Sequence, residues 1–217
     1  MSTKIFKKSL SAFFIIFLQL NISAQISEKI ELSKDNQLLG LGTQYILKSK
    51  ILHEERPIII SLPHGYENTN VNYPVLYLLD GLGNIKHEIG TVELLTDSGI
   101  IPPMIIVAIE SLDRSRDLTP SSAGQGVYGG VGESGISQSG GAPKFLQFLE
   151  EELIPYVESN FRTHPYRLLE GHSFGGLFST YALMEKSDIF DAFIIQAPAL
   201  WWNKEEMTAK AKTFFKS

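Results

Sequence analysis

The amino-acid sequence predicts an α/β fold in which a mostly parallel sheet is flanked by helices. Three short apolar runs, Val75–Leu79, Met104–Ile109 and Phe193–Gln196, have the character of strands buried on both faces. Stretches of helical period separate them, the arrangement that parallel strands require. The run Arg167–Glu170, the sextet GHSFGG at 171–176 and the apolar run Leu177–Met184 read as strand, sharp turn and helix. With 217 residues, 43% of them hydrophobic and 11% aromatic, the chain can bury one sizeable core, so one globular domain is expected.

Residues 1–24 stand apart from that domain. Lys4, Lys7 and Lys8 form a basic start, Phe13–Leu20 is apolar, and Ile22-Ser23-Ala24 offers a small residue for cleavage before Gln25. This is the pattern of a secretory signal peptide. The apolar stretch falls short of the roughly 20 residues a spanning helix needs, so no stable membrane anchor is expected after cleavage. The domain then covers 25–217.

After a polar stretch, Thr43–Leu52 and Pro57–Leu62 read as an opening hairpin joined by the charged turn His53-Glu54-Glu55-Arg56. Pro74 precedes the strand Val75–Leu79, which Asp80-Gly81 ends. Lys86–Leu95 has helical character, and Pro102-Pro103 introduces the next strand at Met104. Residues 121–141 hold eight glycines and little to bury, which predicts a loop. Pro143 opens a long helix whose apolar face is Phe145, Leu146, Leu149, Leu153 and Val157, with a kink expected at Pro155. Trp201 and Trp202 follow the last strand.

Composition narrows the chemistry. Loss of residues 1–24 removes three lysines and no acid, taking the net charge from -5 to -8, which disfavours nucleic acid as a partner. The chain has no cysteine, which excludes disulfides and thiol catalysis. An exported chain without disulfides fits a bacterial periplasm or full secretion. The five histidines are scattered, with no pair at metal-ligand spacing, so neither a metal nor another cofactor is expected.

Ser173 carries the strongest chemical signal. It sits at the centre of G-x-S-x-G between an expected strand and helix, the setting in which a sharp turn exposes a reactive hydroxyl. In that setting an acid and then a histidine normally follow in sequence, and no histidine follows Ser173 here. Only His64 and His87 are placed by the expected topology on the same side as the serine.

These motifs, together with YPVLYLLDGLG at 73–83, DRSRDLTP at 113–120, residues 140–163 and FDAFIIQAPALWW at 190–202, resemble the putative-esterase family of α/β-hydrolases, which includes esterase D-like enzymes and siderophore esterases. The resemblance covers about residues 43–203. It implies an α/β-hydrolase fold, Ser173 as nucleophile, and the backbone N–H groups of Phe174 and Leu82 as oxyanion-hole donors. It also implies that the sheet and the triad are incomplete at the C-terminus, the chain being part of a longer enzyme and nearly inert as given. Glu170 departs from the apolar residue usual in the family and is expected to face solvent or a basic partner.

Arg114 and Arg116 lie just beyond the carboxyl end of the Met104–Ile109 strand. They could meet an anionic or catecholate-like substrate, or pair with Asp113 or Asp117 and fix the loop. Tyr128 is the aromatic residue of a loop that could cover Ser173. Trp202 or Trp201 could wall the substrate pocket or fill the core. The functional expectation is an exported serine esterase acting on a small-molecule ester such as a siderophore lactone, an acyl sugar or a simple ester. An acyltransferase with the same nucleophile and a non-catalytic hydrolase-like binding protein are the alternatives.

Overall fold

The computed structural model describes residues 30–37, 40–122 and 139–216, so the leader expected over 1–24 and the loop residue Tyr128 lie outside the described residues. Its strands are β1 (Ile30–Gln37), β2 (Thr43–Ser49), β3 (Glu54–Ser61), β4 (Tyr73–Leu79), β5 (Ile105–Ile109), β6 (Thr163–His172) and β7 (Ala192–Gln196). Together they form one mixed sheet in the order β1-β2-β3-β5-β4-β6-β7. The pairs from β1 to β3 and the β3–β5 pair are antiparallel, whereas β5, β4, β6 and β7 run parallel.

The central strands are apolar on both faces because both faces are covered. Along β4, Val75, Tyr77 and Leu79 enter one core with Phe145, Phe148, Leu149 and Phe178, while Leu76 and Leu78 enter a second core with Ile85 and Val92. The second core lies under helix α1 (Gly81–Asp97). The first lies under α3 (Ala142–Phe148), α4 (Ile154–Asn160) and α5 (Phe174–Glu185). A short helix, α2 (Arg114–Leu118), follows β5, and α6 (Trp202–Phe214) closes the described chain. No helix among the described residues is long and apolar enough to cross a membrane.

Four local expectations are corrected. Part of the polar stretch before Thr43 forms strand β1, paired antiparallel with β2. The hairpin turn falls at residues 50–53, and Glu54–Arg56 belong to β3, where Arg56 is fully buried. Helix α1 starts five residues before Lys86, because Asp80 takes a left-handed conformation (φ 54°, ψ 46°) that turns the strand directly into the helix. In place of a simple kink at Pro155, a π-helical turn at Leu149–Leu153 joins α3 to α4. Pro155 has no N–H to return to the preceding turn, and the wider turn absorbs the missing bond.

Candidate active site

Ser173 stands between β6 and α5 with φ 58° and ψ -111°, a conformation that a non-glycine residue holds only when its surroundings enforce it. Backbone bonds enforce it here. The Ser173 N–H donates to the Gln196 carbonyl at 3.1 Å, and the Ser173 carbonyl accepts from Leu177 and Ala199, each at 2.9 Å. Among the described residues, no hydrogen bond to its Oγ is made.

The flanking glycines are unequal in importance. A Cβ on Gly171 would lie 2.3 Å from the carbonyl carbon and oxygen of Gly175, and one on Gly176 would lie 2.8 Å from the Gln196 carbonyl oxygen. A Cβ on Gly175 would make an ordinary contact, 3.4 Å from Leu79 Cβ. Gly171→Ala is therefore expected to destabilise the fold by about 3 kcal/mol or more, and Gly175→Ala by much less. Urea unfolding of the two variants side by side checks this.

The turn after β4 is the second half of the site. A Cβ on Gly81 would come within 2.8 Å of the Ala108 and Ile109 backbone, so only glycine lets this turn close against β5. The Leu82 N–H, in the first turn of α1, donates to Glu110 Oε2 at 3.0 Å. A carboxylate therefore occupies this donor. The Phe174 N–H is the first amide after Ser173, at the start of α5.

Arg114 joins the two halves. Its Nε and Nη2 donate to the two carboxylate oxygens of Asp80 at 2.9 and 3.0 Å, Nη2 also donates to the His172 carbonyl at 3.1 Å, and the guanidinium lies 5.1 Å from the centre of the Phe174 ring. One side chain thus ties the turn after β4 to the residues on both sides of Ser173. Bidentate geometry makes such a tie directional as well as strong. Arg116 is committed elsewhere, to Asp117 Oδ1 at 2.7 Å and Glu54 Oε1 at 3.0 Å. Both arginines expected near a substrate anion therefore serve protein ion pairs, and the partner of Arg114 is Asp80, not the neighbouring Asp113.

The aromatic pair divides by exposure. Trp202 is 1% exposed, packs edge-on to Phe174 with centroids 5.3 Å apart, and donates its indole N–H to the Ser121 carbonyl at 3.1 Å. Of the two roles expected for the pair, burial puts Trp202 in the core, with Phe174 between it and Arg114. Trp201 is 48% exposed, with its ring centre 5.8 Å from that of Phe174.

Glu170 meets neither solvent nor a base. It is 4% exposed on β6, accepts from Gln196 Nε2 at 2.8 Å, and lies beside Glu88 of α1, itself buried. Burial, then the charge of Glu88 and the hydrogen bond to it, raise Glu170 from 4.5 to about 7. Burial also pushes Glu88 up, partly offset by His87 and by the bond from Glu170. A carboxyl raised by folding stabilises the native state fully below the unfolded value near 4.5, and that contribution is lost as pH rises through about 7. Glu170→Gln is thus expected to be more stable than the parent at pH 8 by on the order of 2–3 kcal/mol, with the difference vanishing below about pH 4.5. Urea unfolding across that range reads both the size and the sign.

None of the five histidines is bonded to Ser173 among the described residues. His64 pairs with Glu93 at 3.2 Å, and Nδ1 of His164 accepts from the Tyr166 N–H at 3.1 Å. His53, His87 and His172 are exposed.

A strained serine on a strand-to-helix turn, at the carboxyl ends of parallel strands covered by helices, defines an α/β-hydrolase. Residues 49–216 match the family described as Putative esterase, and the chain belongs to it. It is 31% identical over 153 residues to the ferri-bacillibactin esterase BesA of Bacillus subtilis, covering 65% of this chain and 53% of that one. It is 36% identical over 107 residues to a siderophore enterobactin esterase of Emericella nidulans, covering 46% and 35%. Among solved structures, an IroE-like serine hydrolase from Shewanella oneidensis superposes with a TM-score of 0.71 at 35% identity, covering 80% of this chain and 54% of that one. The chain spans about a third to a half of the length of these relatives.

Proposed function

We propose that the protein is an exported serine esterase that hydrolyses carboxylic esters through an acyl-enzyme on Ser173. The observation that carries this reading is the enforced positive φ of Ser173, whose hydroxyl has no bond among the described residues, beside a turn that Arg114 ties to it. In the proposed reaction Ser173 Oγ bonds to the ester carbonyl carbon as its proton passes to a base. The bond to the alcohol oxygen then breaks and the alcohol leaves with that proton. Water attacks the acyl-enzyme, frees the acid and restores the serine. The Phe174 and Leu82 N–H groups stabilise the oxyanion, with Glu110 giving up its bond to Leu82 as the charge develops.

The base is an imidazole in this scheme. Among the described residues no histidine bonds Ser173, and in the proposed scheme the histidine and its acid lie outside these 217 residues. The mass of the protein as its own cells make it, compared with that calculated for residues 25–217, tests this together with the leader. A larger mass with an N-terminus at Gln25 supports both.

The names of the relatives favour a siderophore ester over an acyl sugar or a simple ester, and water over an alcohol as acceptor. Release of carboxylates from a catecholate trilactone by the natural protein, followed by mass spectrometry, tests the substrate class. A second reading, a hydrolase-like binding protein without a relay, draws on the Glu110 carboxylate held by Leu82. Binding of the siderophore without turnover supports that reading.

A further inference from the structure

Glu170 and Glu88 are buried on facing elements, three residues before Ser173 and one turn past Ile85, beside the apolar second core. Glu170 Oε1 accepts from Gln196 Nε2 at 2.8 Å, whereas Oε2 receives no hydrogen bond. Two carboxyl groups bond one another only through a proton, and an oxygen that no group donates to is where that proton sits. The same Gln196 accepts the Ser173 N–H through its backbone carbonyl at 3.1 Å. One residue therefore touches both the carboxyl pair and the nucleophile.

We propose that Glu170 and Glu88 share one proton, carried on Glu170 Oε2 and donated to Glu88, and that this pair positions Ser173 through Gln196. With the proton in place, Glu170 accepts from Gln196, donates to Glu88, and holds the end of β7 against the turn. Loss of the proton leaves two buried carboxylates in repulsion, which displaces Glu170 and, through their hydrogen bond, Gln196. The groups facing the pair are few. Helix α1 contributes Glu88 and the exposed His87, β7 contributes the neutral Gln196, and β4 contributes Leu76 and Leu78. Beyond Gly171 on β6 comes His172, whose carbonyl is held by Arg114, itself paired with Asp80. None of these supplies a cation in contact with Glu170. Glu170 is accordingly a positioning residue for the nucleophile proposed above. The proposal rests on that reading only for its catalytic consequence.

The test is an NMR titration of the full chain without substrate, following the glutamate side-chain carboxyls and the Ser173 amide. One glutamate is expected to titrate near pH 7, and its signal disappears in Glu170→Gln. In Glu88→Gln that signal persists but moves toward the ordinary range, since both the repulsion and the acceptor are weakened. The Ser173 amide shifts with the same midpoint in the parent. In Glu170→Gln, whose amide donates and accepts as the protonated acid does, it stays fixed at the parent's low-pH position. A high-titrating glutamate that survives Glu170→Gln or ignores Glu88→Gln overturns the shared proton. A Ser173 amide blind to that titration overturns the coupling. Neither result depends on ester hydrolysis, so failure here and failure of the esterase reading are seen separately.

Discussion

Replacing Ser173 by alanine in the natural protein is expected to lower ester turnover by on the order of a millionfold, leaving the fold intact. The size follows from the covalent route. Without Oγ the proposed acyl-enzyme cannot form, and only the residual effect of binding and of the donors proposed at Phe174 and Leu82 remains. The fold survives because the turn is held by backbone groups, with the Ser173 N–H on Gln196 and its carbonyl bonded to Leu177 and Ala199, none of which involves the hydroxyl. Steady-state hydrolysis of a siderophore ester, with circular dichroism as control, reads both halves. A variant with more than a small fraction of parent activity contradicts the nucleophile assignment.

Replacing Arg56 by alanine is expected to have the largest effect on stability, a loss of about 3–5 kcal/mol. Arg56 is fully buried. It meets Glu54 and Asp117, the latter at 2.8 Å, donates to the Glu110 carbonyl at 2.7 Å, and lies over the Phe145 ring. Its removal leaves Asp117 and Glu54 with Arg116 as their remaining cation and opens a hole beside Phe145. Neutralising the carboxylates as well, in Arg56→Ala with Glu54→Gln and Asp117→Asn, is expected to recover much of the loss, because the cost is that of uncompensated buried charge. Urea unfolding of the single and triple variants decides the matter. Equal loss in both would show that packing, not charge, dominates.

The sheet was legible because burial on both faces leaves a signature that survives without context. The runs at Val75–Leu79, Met104–Ile109 and Phe193–Gln196 became β4, β5 and β7, and the glycines around Ser173 marked the turn. Arg56 was misplaced in a turn because a charged residue reads as exposed until its partners are known. Glu54 is two residues away but Asp117 is sixty-one, and no local pattern links them. The same holds for Arg114 and Asp80, for Glu170 and Glu88, and for Glu110 and Leu82, all brought together by the sheet order. Trp201 and Trp202 show the limit at its sharpest. Adjacent and chemically identical, they differ in exposure because one indole points into the core and the other out.

Labelling tests most directly whether Ser173 is the activated nucleophile proposed above. The protein as its own cells make it is treated with a fluorophosphonate, digested, and the modified peptide located by mass spectrometry. One label per chain on the peptide containing Ser173, blocked by prior incubation with a siderophore ester, is the result expected. A folded protein that takes up no label, or takes it on a different serine, contradicts the account and leaves the binding-protein reading in its place.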